Sequence, residues 1–382
     1  MTRVCHLLDP SAGWEQRLGI GQLLDRLPRD KVQSTVGRIG RGTVCLSNQS
    51  NTPTHAARLQ GWGDLGASVL AAPRLARFLN RRRMDIIHAW GASSAVAACV
   101  AAGSGAAKSA VVVELFDPVA ATRHIKLLRT LAGSGRMAIV CSSAIVRRRL
   151  IEGGVESAMT TVIRPGVAFS VINAYRRGNL RERLGLQRDD FVFLVPGEDT
   201  AGGETCEAFR AAALVNHLSG RLRMIVPGRA PRQRRVAKLA AAMDHRSLLV
   251  TPAGDIPFEA LVAVSDALVI ASRGDVSTTA IAWGMGGGLL IIGAAVHAVA
   301  ELCAHNVNGL LFKQTRGKSM VVAIAKLLRD RGSADKVREV ARGQAYEVFS
   351  VRRYIEQHLR LYENLLAGRT PGDGIIDSAV SA

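Results

Sequence analysis

One stretch constrains the fold more than any other: Ile270–Ile292, IASRGDVSTTAIAWGMGGGLLII. The residues before it, Leu261–Ala271, are nearly all apolar and end as a buried strand would. A polar turn follows over Ser272–Ser277. The hydroxyls of Ser277, Thr278 and Thr279 are placed to cap the start of a short helix. Gly286–Gly288 stop that helix, and Leu289–Ile292 reads as the next buried strand. Strand, loop, helix, strand is the repeating unit of a parallel sheet. Its loop lies at the carboxyl end of a strand, with a helix N-terminus pointing into it. Open α/β sheets hold ligands at that edge, where phosphate meets free N–H groups and a favourable dipole.

The 382 residues suffice for two such domains, each with its own core. A hydrophobic content of 48% excludes a disordered chain. The excess of 50 Lys+Arg over 31 Asp+Glu gives +19 and favours anionic partners. Aromatic residues make up only 4%, which leaves little material for stacking bases and argues against a nucleic-acid-binding protein. Cys5, Cys45, Cys99, Cys141, Cys206 and Cys303 show no paired spacing and read as reduced core thiols. The start, MTRVCHLLDP, is too short in its apolar part for a signal peptide. The small-residue run Ala92–Ala107 falls short of the roughly 20 strongly apolar residues of a spanning helix. A cytoplasmic protein is expected, at most peripheral at the inner face of the membrane. The runs Arg81–Arg83 and Arg147–Arg149 are read first as solvated helix faces; the functional alternative is contact with an anionic membrane surface.

Strands and helices alternate along the whole chain. Strands are expected at Arg3–Leu8, Asp85–His88, Val111–Leu115, Met137–Cys141 and Val162–Ile163, with helices over Gln16–Leu27, Ala72–Arg83, Ser93–Ala102, Arg123–Leu131 and from Ser143. Residues 33–64 carry only loose signals. A second series follows, with strands at Phe191–Val195, Met224–Val226 and Leu248–Val250 and helices over Leu180–Leu186, Glu204–Val215, Arg232–Met243, Phe258–Val264 and Ser319–Leu328. Phe349–Leu366 places Tyr354, Leu359, Tyr362 and Leu366 at helical spacing, and the residues after it read as a disordered tail.

The opening stretch resembles the donor-sugar motif of glycosyltransferase family 4, whose fold is GT-B: two Rossmann-like parallel-sheet domains facing a cleft. Ser272, Met285, Gly288 and Leu290–Ile292 fit that frame. The family carries one Glu in the loop and a second eight residues later; Asp275 and Trp283 stand at those places. The likeness extends through DIIHAWG with His88, IVCSSAIVRRRLIEGGV, VIRPGV, and HNVNGLLF preceded by Glu301, about residues 1–367 in all. It implies an acceptor-side domain over 1–168 completed by a helix at 350–367, a donor-side domain over 169–349, and a tail at 368–382.

The resemblance also implies site residues. Asp275, Asp117 and His88 are the catalytic candidates, His88 weighed more as a structural or acceptor-side group than as a base. Gly197, Glu198, Gly202, Gly203, Arg229, Ser272, Arg273, Ser277, Thr278, Trp283 and Glu301 line the implied donor site; Gly13, Trp14 and Phe116 lie on the acceptor side. The family places an Arg and a Lys at the diphosphate where this chain has Glu198 and Gly202, and a His where it has Phe116. An unpaired carboxylate beside a diphosphate is repulsive by about 1 kcal/mol in water-like surroundings. Arg229, Arg273 and Lys313 are the substitute cations on offer. Cys303 with His305 lacks further ligand spacing, so no metal is expected, nor a cofactor beyond the nucleotide-sugar substrate. Two readings follow. One is a retaining sugar transferase acting from a nucleotide sugar to a glycan or lipid-linked acceptor, with an altered donor site. The other is a non-catalytic GT-B binding or partner protein in polysaccharide assembly.

Overall fold

The computed structural model describes residues 1–9, 12–39, 57–59, 65–103, 109–117, 124–132, 137–196, 204–227, 231–252, 256–272, 274–313 and 318–377. They form two compact units, Met1–Gly166 with Val351–Ser378, and Val167–Ser350.

The first unit opens with β1 (Thr2–Leu8), α1 (Trp14–Arg26), β2 (Val32–Ile39), β3 (Ala57–Leu59) and α2 (Leu65–Arg82). It continues with β4 (Ile86–Trp90), α3 (Ala92–Gly103), β5 (Ala110–Leu115), α4 (Ile125–Ala132), β6 (Met137–Cys141), α5 (Ala144–Glu152) and β7 (Thr160–Val162). The strands make a seven-stranded sheet of order β3-β2-β1-β4-β5-β6-β7, and every pairing is parallel. β4, β5 and β6 are buried along their entire length, because helices cover both faces of a parallel sheet. On α2 the buried residues Ala72, Leu75, Ala76 and Leu79 follow the helical repeat, while Arg81, Arg82 and Arg83 are exposed. Arg148 and Arg149 share Glu152 as an ion-pair partner on α5, and Arg147 donates to the Thr160 hydroxyl at 3.1 Å. Both basic runs thus include exposed arginines at the helix surface.

The second unit runs α6 (Phe169–Arg176), α7 (Leu180–Arg183), β8 (Phe191–Leu194), α8 (Glu204–Ser219), β9 (Leu222–Ile225), α9 (Pro231–Ala242) and β10 (Leu249–Val250). Then come α10 (Phe258–Val264), β11 (Ala267–Ile270), α11 (Thr279–Gly286), β12 (Leu290–Ala294), α12 (His297–Ala300), β13 (Leu310–Phe312), α13 (Lys318–Arg329) and α14 (Arg331–Val348). Its parallel sheet has the order β10-β9-β8-β11-β12-β13. All eight residues of α11 are buried. The helix can lie this close to the sheet because Gly284 has no side chain: a Cβ there would stand 2.9 Å from both Leu268 and Ile291. Beyond its C-terminus, the carbonyls of Gly287 and Gly288 accept hydrogen bonds from Arg176 and Arg338, cations at the negative end of the helix dipole.

The chain then returns to the first unit as α15 (Val351–Leu366). Its apolar face packs Tyr354, Ile355, Leu361, Tyr362 and Leu365 with Ile20 and Leu23 of α1 and the inner face of the sheet. Two expectations are corrected here. Residues 331–348 are a helix that the sequence reading did not assign. The expected disordered tail at 368–382 is, over 368–377, an ordered segment packed on the first unit. Asp377 pairs with buried Arg164 at 2.7 and 3.2 Å, Asn364 donates to the carbonyls of Pro371 and Asp373, and Gln357 donates to that of Ile376. Its polar composition signals disorder only until these partners, distant in sequence, are in place.

Candidate functional site

The strand order reverses direction beside β8 and β11, and a pocket of about 420 Å³, its open mouth included, lies there. It is lined by Val195 and Pro196 after β8, Glu204 and Thr205 at the start of α8, Ala271 and Ser272 after β11, and Ser277. This is the topological switch point at which open α/β sheets take ligands.

The turn after β11 is held by its own hydroxyls. Ser272 Oγ accepts the Gly274 N–H at 3.2 Å and donates to Glu204 at 3.5 Å. Ser277 Oγ accepts the Thr279 N–H at 3.2 Å and donates to the Thr279 hydroxyl at 3.1 Å. The expected capping by Thr278 is not seen, since its side chain makes no cap bond; Ser277 takes that part. Asp275 is turned onto the next helix. Its carboxylate accepts the Ala298 N–H at 3.2 Å, at the start of α12, with His297 at 3.6 Å.

Trp283, named among the donor-site candidates, is found in the core. It lies one turn into α11, is 1% exposed, and its indole N–H has no acceptor. A side chain so placed is a core group, not a contact for ribose hydroxyls. Ser272 and Ser277 line the pocket, while Thr278 is buried and does not; Glu301 follows α12 and is half-buried. Gly197, Glu198, Gly202, Gly203, Arg229 and Arg273 lie outside the described residues.

In the first unit His88, the catalytic candidate weighed more as a structural or acceptor-side group, lies in the core. His88 is 0% exposed, with Nδ1 2.8 Å from the Tyr362 hydroxyl and Nε2 3.1 Å from Glu114. Burial pushes its pKa down, against the opposing pull of Glu114. Phe116 is likewise buried and stacks on Trp90. Asp117 follows β5 and is half-buried, Gly13 sits at the cap of α1, and Trp14 is its first residue. At the analogous switch point of this unit, Asp9 accepts the N–H groups of Ser93 and Ser94 at 3.2 and 2.5 Å, which caps α3. Sequence reasoning missed Asp9, Glu114 and His358. The i, i+4, i+8 spacing of Tyr354, His358 and Tyr362 was the available signal for the last.

Known proteins resemble this chain in one segment of its sequence and in its fold. Residues 205–330 match the family of glycosyl transferases group 1. The matched segment contains β11, all of α11, and α8 from its second residue on. No curated protein matches the chain in sequence. Among solved structures, the fold is similar to HepE from Anabaena in complex with UDP and glucose, at 17% identity and a TM-score of 0.79, covering 95% of this chain and 100% of that one. It is also similar to a glycosyltransferase from Rickettsia africae, at 16% identity and a TM-score of 0.75 over 96% and 98% of the two chains. A third is sucrose-phosphate synthase from Thermosynechococcus elongatus, at 14% identity and a TM-score of 0.72 over 96% and 100%. The fold is GT-B, as the motifs implied. Among the described residues no helix is long and apolar enough to cross a membrane. Cys5, Cys99, Cys141, Cys206 and Cys303 are free and buried, while Cys45 lies outside the described residues. Burial pushes the thiols of Cys5, Cys99 and Cys303 up to about 12, which keeps them inert.

Proposed function

We propose that the pocket beside β8 and β11 binds a nucleotide sugar and that the chain transfers the sugar, with retention of configuration, to a glycan or lipid-linked acceptor. In such a step the bond from the anomeric carbon to the diphosphate oxygen breaks, a bond to an acceptor oxygen forms, and the acceptor proton is released. The observation that carries the reading is the pocket's placement. It lies at the switch point, between the starts of α8 and α11, and most of its lining falls within the segment that matches the group 1 family, with Val195, Pro196 and Glu204 just before it. HepE, similar in fold, is seen with UDP-glucose. A uridine nucleotide is thus the first donor to try. Glu198 and Gly202, at the places of the family's two cations, weaken the grip on the leaving diphosphate and slow transfer. Arg229 and Arg273 are the proposed replacements, and the arginine-rich faces of α2 and α5 are the proposed contact with an anionic membrane.

A second reading, a non-catalytic binding protein in polysaccharide assembly, is favoured by Trp283. The core position it occupies has no carboxylate to offer a ribose.

Thermal denaturation with UDP, GDP, ADP and their sugars at millimolar levels tests both. Ligand binding to the folded chain must raise the melting temperature, by an amount equivalent to about 2.7 kcal/mol at a hundredfold excess over Kd. Stabilisation by one nucleotide, reduced in Arg273→Ala, together with release of that nucleotide from its sugar in the presence of acceptor, supports the transferase. Stabilisation without turnover supports the binding protein. No stabilisation by any nucleotide overturns the pocket assignment.

A further inference from the structure

We propose that His88, Glu114 and His358 hold a divalent transition-metal ion, of the zinc class, in the core of the first unit. The three come from β4, β5 and α15, and all are fully buried. The register of β4 on β5 places His88 beside Val112. Glu114, two residues on, therefore projects from the same face. Facing it, α15 presents His358 with Tyr354 and Tyr362 one turn to either side.

The distances suit a metal. His88 Nε2 and His358 Nε2 each lie 3.1 Å from the same oxygen, Glu114 Oε2. The three atoms fall within 4.8 Å of one another. Ligands bound tetrahedrally to zinc at its usual bond lengths stand about 3.3 Å apart.

The hydrogen-bond pattern then favours a cation among these groups. His358 Nδ1 is 2.8 Å from the backbone carbonyl of Tyr354. A carbonyl only accepts, so Nδ1 carries the proton, and Nε2 of the neutral ring is a bare lone pair. That lone pair faces a carboxylate oxygen. Two such groups at 3.1 Å repel each other unless a positive centre lies between them. The Tyr362 hydroxyl, 2.8 Å from His88 Nδ1, accepts a hydrogen bond from that nitrogen when the ring carries its proton there. It thereby turns a second lone pair toward Glu114. Imidazoles whose outer N–H is held by a carbonyl or another oxygen are the usual form of metal-bound histidine. A single proton on His358 would bridge one nitrogen and leave Glu114 Oε1, buried beside the Tyr354 hydroxyl, without a hydrogen-bond partner among the described residues. A metal ion takes both lone pairs and accepts Oε1 as a second carboxylate contact.

Because the ligands join the last helix to the two central strands, the ion would close the first unit after the chain has returned from the second. It is distinct from the sugar-transfer reading, and its test does not depend on activity. The full chain is purified without a histidine tag or chelator, and its metals are measured by plasma mass spectrometry. About one zinc per chain is expected. Glu114→Gln and His358→Gln are each expected to retain less than about a tenth of it. Should either variant fail to fold, the wild-type chain is unfolded and refolded with zinc or with a chelator. The zinc-loaded form is expected to melt higher. A wild-type chain without stoichiometric metal, whose melting temperature is the same after both refolding treatments, would overturn the proposal and leave a proton as the bridge.

Discussion

The two units are built on one plan and spend their interiors differently. Both use the strand order in which the first strand lies beside the fourth. Both fix that pairing with the same device. Asp85, just before β4, accepts the Arg3 N–H of β1 at 2.7 Å, and Asp266, just before β11, accepts the Val192 N–H of β8 at 2.8 Å. Beyond this they part. Beneath α15 the first unit buries His6, His88, Glu114 and His358 among Trp90, Tyr354 and Tyr362. Under α11 the second unit places Ile281, Trp283 and Met285, and its polar groups gather at the rim as Ser272, Ser277 and Glu204. Burying polar groups between covered faces costs least where they pair with one another, as most of this cluster does. Where they sit therefore distinguishes a core network from a ligand-facing rim.

The most severe way to break this contrast is to put a carboxylate into the second unit's core. Trp283→Glu restores the residue type that the family carries there. Emptying a buried aromatic site costs about 3–5 kcal/mol, and an unpaired buried charge adds to that. We expect a large drop in urea midpoint with no gain in nucleotide affinity. Wild-type stability together with tighter nucleotide binding would instead make Trp283 part of the pocket.

Removing the charge from the first unit is next. Without a metal, protons on the two rings take its place: burial raises the Glu114 pKa, but His358 and His88 then outweigh it and hold the carboxyl down at about 2, against 4.5 for a free one. A depressed acid stabilises the fold above its unfolded value. The contribution of Glu114 is complete above pH 4.5 and is lost as the pH falls toward about 2. Glu114→Ala strands the two histidines and is expected to lose about 3–5 kcal/mol at neutral pH. Chemical denaturation from pH 2 to 7 checks this: the gap between variant and wild type should close on the acid side. A gap that persists unchanged at pH 2 would sink the assignment.

The smallest of the three effects concerns the ligand edge of the first unit. Gly91 has φ +137°, and a Cβ there would stand 2.4 Å from Asp9 Oδ2. Gly91→Ala combines backbone strain with displacement of the α3 cap, at about 1–3 kcal/mol. The loss should fall in the first unit. Hydrogen exchange at the Ser93 and Ser94 amides would locate it; protection equal to wild type would show that the Asp9 cap tolerates the methyl.

Much of the fold was legible without coordinates. Alternating apolar strands and amphipathic helices are local patterns, set by which residues lie within a few positions of each other. Ile270–Ile292 contained a strand, a hydroxyl-rich turn, a helix and a glycine stop in the order found. Helix α14 was harder to see because its buried stripe of Ala334, Val337, Ala341 and Ala345 is mostly alanine, with Gly332 and Gly343 in between. The candidate site was legible in its frame and less so in its side chains. Nothing local shows that Asp275 turns onto Ala298 or that Trp283 enters the core.

The sequence by itself determined the element order, the two-domain plan and the family frame of the donor segment, because each rests on short-range periodicity and turn chemistry. Only the tertiary structure decided which polar residues meet. Glu114 and His358 are separated by 244 positions. They become partners through the strand register, the face of the pleat and the return of α15, none of which is encoded at either position alone.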